Sequence, residues 1–358
     1  MKIVTVVGAR PQFIKAAALS RVLRKDHQEI LVHTGQHFDS NMSDIFFEEL
    51  GIPQPDYNLG ISGGSHAQMT GRMLIAIEEV LVKEKPDALL VYGDTNSTMA
   101  GALAAVKLQI PIIHVEAAAR LGSLANPEEV NRVVTDHLSS VLFACVPSAI
   151  EFAKKEGLTR NLHLVGDPMY DAFLYYKGRK PLDEIQLRTL DGELIPVPKR
   201  FNYLTCHRQE NTQTDESLRA ILMAMEQLGL PAVYPVHPRN QATARRLKAE
   251  GNLKKILFVE PVGYLESNTL VSNADRVVTD SGGVQREAFF ASKPCVTVFD
   301  YVAWPETMTG HCNQLAKPDT NDILEKCGVE SVFDDSYKPF GDGHACEKIC
   351  DVLRTVQL

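Results

Sequence analysis

Short runs of β-branched and aliphatic residues alternate with stretches of helical periodicity along most of the 358-residue chain. The first runs fall at 2–7, 30–32, 88–92, 112–115, 141–145 and 162–165. A recurrence of roughly 25 to 30 residues is that of repeated βα units around a buried parallel sheet. A second series at 203–205, 233–235, 256–259, 276–279 and 296–298 predicts another sheet of similar build. Between them, 178–200 concentrates charge and proline, as in Arg179-Lys180-Pro181-Leu182-Asp183 and Pro196-Val197-Pro198-Lys199, and reads as a connector. The predicted class is α/β, with doubly wound parallel-sheet domains over 1–175 and 198–340. A last helix near 343–356, in the segment 341–358, has no strand after it and is expected to pack back on the first domain. Ligands of open α/β sheets collect at the carboxyl ends of the strands, so two such domains imply an interdomain cleft.

Several polar motifs follow the predicted strands directly. Gly8-Ala9-Arg10-Pro11-Gln12-Phe13-Ile14-Lys15 offers a turn glycine, a first-turn proline and two cations beside helix N–H groups, which suits an anion. An ordinary turn with two solvated bases is the alternative. Asp280-Ser281-Gly282-Gly283-Val284-Gln285-Arg286-Glu287 repeats that logic, with Ser281, Gly282 and Gly283 at a second phosphate-type turn. Glu287, one helical turn further on, is placed either to bind ribose hydroxyls or merely to favour the helix dipole. Asp94, in Gly93-Asp94-Thr95-Asn96-Ser97, reads equally as a helix cap. Glu116, in His114-Val115-Glu116-Ala117, ends a buried strand, where a charge is costly unless paired or functional. Asn126-Pro127-Glu128-Glu129-Val130-Asn131-Arg132 has every helix-start signal, yet Glu128 and Arg132 are four apart and share a face. His207, in Thr205-Cys206-His207-Arg208, puts an imidazole at a strand end. Carboxylates, a histidine and two anion-type turns fit acid/base chemistry on a phosphate-bearing substrate.

Composition narrows the field. Charged residues make up 23% and the net charge is −8, so no basic surplus draws the chain to nucleic acid or an anionic membrane. No apolar run approaches the roughly 20 residues that cross a bilayer, and no cleavable signal pattern precedes the first strand, so a cytoplasmic protein is expected. Seven cysteines in apolar contexts read as buried thiols rather than disulfides. Cys346 and Cys350 lie four apart without a partnering pair at zinc-site spacing, so no metal is expected. The chain lacks a Walker A sequence, a Gly-x-Gly-x-x-Gly, a Gly-x-Ser-x-Gly and a His-Glu-x-x-His, which removes the kinase, dehydrogenase, serine hydrolase and zinc-protease readings.

Taken in order, Gly8 to Lys15, His33-Thr34-Gly35-Gln36-His37, Gly93-Asp94-Thr95-Asn96-Ser97-Thr98, His114 to Ala117, Pro127 to Arg132 and Asp280 to Gln285 resemble the non-hydrolysing UDP-N-acetylglucosamine 2-epimerases. The resemblance implies a GT-B fold of two Rossmann-like domains, a homodimer, a UDP-sugar substrate and no cofactor. It implies elimination of UDP to a 2-acetamidoglucal and re-addition with the proton delivered to the opposite face of carbon 2. By motif match, Asp94, Glu116, Glu128 and His207 are the catalytic residues. Arg10, Lys15, Arg132, His237, Ser281, Gly282, Gly283 and Glu287 match the groups that bind UDP and the sugar.

The chain also departs from the family pattern. Ala118-Ala119-Arg120 stands where relatives usually carry Gly-Leu-Arg, and Phe299, Val302 and Ala303 replace polar residues. Gln12-Phe13 and Trp304 look more like the branch acting on UDP-2,3-diacetamido-2,3-dideoxyglucuronic acid, which stands as the alternative substrate. A second UDP-sugar activates some members near the loop matching Gln36-His37, but Phe38-Asp39-Ser40 alters that pattern here. A hydrolysing 2-epimerase, a GT-B glycosyltransferase and a catalytically silent nucleotide-sugar binder remain as competing functions.

Overall fold

The computed structural model describes residues 1–36, 49–212 and 214–358; His37 and residues 38–40 of the activator-loop expectation lie outside the described residues. The chain divides into two compact units, one of residues 1–175 with 338–358 and the other of residues 176–337.

In the first unit, β1 (Lys2–Val7), α1 (Arg10–Leu23), β2 (Gln28–His33), β3 (Tyr57–Asn58), α2 (His66–Glu84), β4 (Ala88–Tyr92), α3 (Asn96–Lys107), β5 (Ile112–Val115), α4 (Pro127–Leu138), β6 (Val141–Ala144), α5 (Pro147–Lys155), β7 (Leu162–Leu164) and α6 (Pro168–Tyr176) follow one another. The sheet is parallel, in the order β3-β2-β1-β4-β5-β6-β7. Strand β4 is buried throughout, because helices cover both faces of such a sheet. Val4, Val6, Leu89 and Val91 pack with Met73, Ile77 and Leu81 of α2 on one of them. The strand order reverses between β1 and β4, so the turns leaving those strands flank the usual ligand crevice of a doubly wound sheet.

The second unit repeats the plan with β8 (Gln186–Arg188), β9 (Leu194–Pro196), β10 (Asn202–Thr205), α7 (Gln209–Thr212), α8 (Asp215–Gln227), β11 (Ala232–Pro235), α9 (Gln241–Ala249), β12 (Ile256–Val259), α10 (Tyr264–Asn273), β13 (Arg276–Thr279), α11 (Gly282–Phe290), β14 (Cys295–Val298), β15 (Asn313–Ala316) and α12 (Thr320–Cys327). Its parallel sheet runs β12-β11-β10-β13-β14-β15, with the reversal between β10 and β13. The stretch read as a connector is structured instead. Strands β8 and β9 form an antiparallel hairpin, Ile185 and Leu187 are buried with Tyr203 and Val233, and Thr189 bridges Val259 on edge strand β12. The hairpin covers an edge that would otherwise present unpaired peptide groups. The apolar members Ile185 and Leu187 alternate with polar neighbours, a signal that the surrounding proline and charge outweigh in the sequence.

The last helix, α13 (Ala345–Thr355), belongs to the first unit and packs on α1. Its first two amides, of Ala345 and Cys346, donate to the buried carboxylate of Asp171 at 3.1 and 2.7 Å. All seven cysteines are buried and none is in a disulfide. No described helix is long and apolar enough to cross a membrane.

Candidate active site

Two ion pairs organise the carboxyl edge of the first sheet. Glu116 follows β5 with a left-handed backbone, φ 65°, and its carboxylate pairs with the ammonium of Lys15 from α1. Both side chains are almost wholly buried, at 7% and 3% exposure, so little water screens them. Asp94, in the turn after β4, pairs with the guanidinium of Arg132 from α4. Arg132 also donates to Glu129 at 3.2 Å. Burial opposes its charge, but Asp94, Glu128, Glu116 and Glu129 together outweigh burial and raise its pKa. One buried guanidinium thus sits in the field of all three carboxylates singled out in the sequence.

Several sequence readings change here. The helix cap of α3 is Thr95, whose Oγ1 accepts from the Thr98 amide at 3.3 Å, and this leaves the Asp94 side chain to Arg132. The amides of Gly8 and Ala9 do not await an anion: both donate to Gln12 Oε1, at 2.8 and 3.1 Å. Gly8 is needed for close packing, since a Cβ there would lie 2.2 Å from Ser97 Oγ and 2.3 Å from Thr34 Oγ1. Lys15 is likewise committed to Glu116, while Arg10 lies half-buried at the start of α1. Arg132 takes Asp94 and Glu129 as its direct partners, and Glu128 acts on it through space.

Sequence reasoning missed other members of this cluster. Glu129 is buried and accepts from the amides of Leu121 and Gly122, each at 2.9 Å, fixing the turn ahead of α4. Asp167 and Cys145 are buried beside Glu116, and the polar atoms of the three lie within 4.8 Å of one another. Asp167 lies just past β7 and ahead of a proline, a strand-end position like the others, and that was the only signal for it.

In the second unit the reversal point carries His207 after β10 and Ser281 to Gly283 after β13. His207 Nδ1 is 3.0 Å from Asp280 Oδ1, and the amides of His207 and Arg208 also donate to that carboxylate at 2.8–3.0 Å. Burial disfavours the charge on Asp280, yet His207 and those amides hold its carboxyl below the usual value. The Asp280 carboxylate therefore orients the ring through Nδ1. His237 stacks on His207 with ring centres 5.9 Å apart. Ser281 caps α11, accepting from the Val284 amide at 3.4 Å, and its neighbours Gly282 and Gly283 supply the first helical N–H groups. Glu287 is buried one turn along the same helix. At the departing positions, Phe299 stacks on Tyr301 with centres 5.0 Å apart, and the Arg208 guanidinium lies 4.6 Å above Phe299.

Two Rossmann-like units, each with its polar groups at a strand-order reversal, define a protein of the GT-B class. The family model for UDP-N-acetylglucosamine 2-epimerase matches residues 21–354. The chain is 45% identical over 363 residues to the UDP-2,3-diacetamido-2,3-dideoxy-D-glucuronate 2-epimerase of Pseudomonas aeruginosa, covering 99% of both proteins. It is 40% identical over 365 residues to a UDP-N-acetylglucosamine 2-epimerase of Methanococcus maripaludis, covering 98% of both. The crystal structure of the Methanocaldococcus jannaschii UDP-GlcNAc 2-epimerase in complex with UDP-GlcNAc and UDP superposes with a TM-score of 0.87 at 37% identity, over 99% of this chain and all of that one. The chain belongs to the UDP-N-acetylglucosamine 2-epimerase family.

Proposed function

We propose that the protein inverts carbon 2 of a UDP-linked N-acetylated hexosamine, interconverting UDP-N-acetylglucosamine and UDP-N-acetylmannosamine without net hydrolysis. The observation that carries this reading is the Arg132 guanidinium in the field of Asp94, Glu116 and Glu128, beside the buried Lys15–Glu116 pair. The reaction needs a base to take the carbon-2 proton while the carbon 1–oxygen bond breaks and UDP leaves with the electron pair. It then needs an acid on the opposite face while UDP adds back to carbon 1. Asp94, Glu116 and Glu128 supply carboxylates from three different chain segments, which is how groups come to address two faces of one ring. Arg132 and Arg10 offset the negative charge of the departing diphosphate. In the second unit, His207, His237 and the Gly282 and Gly283 amides bind that diphosphate, and Glu287 binds the ribose.

A second substrate is supported by the 45% identity to the diacetamido-glucuronate enzyme, which a UDP-N-acetylglucosamine 2-epimerase homolog of Methanococcus maripaludis equals. On this reading the sugar carries a second acetamido group and a carboxylate. The same family membership supports a homodimer and a cytoplasmic location, checked by sedimentation and by cell fractionation.

Proton NMR in deuterium oxide tests the reaction and the substrate together. The UDP-linked manno epimer with deuterium at carbon 2 is expected from one of the two substrates. Free sugar would make the protein a hydrolase, and two inert substrates would remove the proposal. Asp94→Asn, Glu116→Gln and Glu128→Gln should each cut turnover sharply while UDP binding persists.

A further inference from the structure

Behind the two ion pairs of the first unit lies a second polar network, centred on a residue given no role above. Asp136 is fully buried on α4, one turn beyond Arg132 and two beyond Glu128, so the three share a helix face. Its carboxylate lies 2.7 Å from His114 Nδ1, accepts from Arg120 Nη1 at 2.6 Å, and accepts the Ala118 amide at 3.1 and 3.2 Å. His114, also fully buried, places Nε2 2.7 Å from the carbonyl oxygen of Gly93. A carbonyl and a carboxylate are both acceptors, so both ring nitrogens donate. Arg120 continues outward to a two-pronged pair with Glu156, both contacts at 2.7 Å.

What this network holds decides its meaning. Gly93 directly precedes Asp94 and has a left-handed backbone, φ 60°. Ala118 lies two residues after Glu116, and both have left-handed backbone, at φ 62° and 65°. Such a turn of non-glycine residues persists only where surrounding bonds over-determine it. The Asp136 carboxylate supplies one of those bonds from the helix that carries Glu128. Three segments, each bearing one of the proton-handling carboxylates, are thereby tied to a single buried pair.

We propose that His114 and Asp136 form a positioning dyad: His114 sets Asp94 through the Gly93 carbonyl, and Asp136 sets Glu116 through the Ala118 amide. The inference rests on the reading that Asp94, Glu116 and Glu128 move the proton at carbon 2. Withdrawing and returning that proton on opposite faces requires fixed geometry, and a displacement near 1 Å costs about 100-fold in rate.

Two substitutions separate the bonds. In His114→Asn the amide nitrogen overlays Nδ1, keeping a donor for Asp136 and losing the one to Gly93. In His114→Gln the amide nitrogen reaches the Nε2 position and keeps the bond to Gly93. With the UDP-sugar that the unaltered protein epimerises, His114→Asn should lower kcat by about 100-fold at unchanged KM and UDP affinity, and His114→Gln should recover at least about tenfold of that loss. A purely structural role would lower both melting temperatures and leave kcat per folded molecule alone. Unchanged kcat in both variants, or equal losses in both, would overturn the dyad. Should His114→Asn not fold, Arg120→Lys weakens another donor to Asp136. A kcat about tenfold lower at unchanged KM supports the proposal, and an unchanged kcat overturns it. Full activity in Asp94→Asn would instead remove the catalytic reading beneath the dyad.

Discussion

The Lys15–Glu116 pair allows stability and catalysis to be separated. With side-chain exposures of 3% and 7%, removal of either partner takes the direct ion pair from a buried charge. The cost of such a deletion is about 3–5 kcal/mol, against a total stability of about 5–15 kcal/mol. Lys15→Met and Glu116→Leu should each lose that amount. The double variant replaces the pair with apolar side chains of similar size and should lose little, so the coupling approaches the sum of the two single losses, about 6–10 kcal/mol. Urea unfolding followed by circular dichroism and by Trp304 fluorescence is the assay. The chain has one tryptophan, in the second unit, whereas both substitutions fall in the first. The dichroism transition should therefore move to lower urea in the single variants and return in the double one. Epimerisation should be lost in all three, so the double variant is expected to be stable and inactive. Additive losses would refute the argument, because they would mean that neither charge depends on the other.

Asp280→Asn should weaken UDP binding by about tenfold, the scale of one charge-assisted hydrogen bond, because His207 loses the carboxylate that orients its ring towards the diphosphate; calorimetry with UDP checks this. Asp171→Ala removes both acceptor bonds at the start of α13 and should cost about 1–2 kcal/mol, read as a lower melting temperature and faster proteolysis within 345–355. Acid unfolding should combine opposing contributions. Burial pushes Asp136 up, but His114 and Arg120 outweigh it and hold the carboxyl below its ordinary 3.8, so its contribution is complete above that value and is lost as pH falls through the lowered one. Asp280 behaves alike, whereas burial raises Asp171, whose contribution is complete below 3.8 and declines as pH rises through its higher value. Asp136→Asn should therefore flatten the acid limb of a stability–pH curve, and an unchanged slope would count against the assignment.

The sheets were legible because buried parallel strands must be continuous apolar runs, and both reversal points fall where polar motifs interrupt them. Strand β15 escaped notice because Asn313-Gln314-Leu315-Ala316 has two amides and no β-branched residue. Its Asn313 is nevertheless buried, accepting from Thr297 Oγ1 at 2.7 Å, so a side-chain bond to β14 replaces apolar burial. At the strand ends, Asp94 and Glu116 were legible as candidates and their partners were not. Asp94 and Arg132 come from different strand–helix units, as do Lys15 and Glu116. Helical spacing put Glu128 and Arg132 on one face, and it is the adjacent Glu129 that Arg132 contacts directly. Asp136 gave no signal because its partners lie on β5 and in the loop after it, and only the packed helix brings them together.

The departures from the family pattern take on a different meaning once the backbone is known. Where relatives usually have glycine, Ala118 adopts φ 62°, a conformation that glycine enters freely and that costs alanine about 1–2 kcal/mol. Its amide bond to Asp136 and its complete burial act in the opposite direction. The turn is therefore held in a left-handed geometry despite the substitution, and the two catalytic candidates beside it remain in their ion pairs. At the other departure, Phe299 stacks on Tyr301 beneath the Arg208 guanidinium, at a position where the family pattern carries a polar group. A loss of catalysis would be expected to show first in the ion pairs or in the backbone beneath them. Both ion pairs and the turn beneath them are formed despite the alterations, so neither departure removes the geometry that the proposed reaction uses.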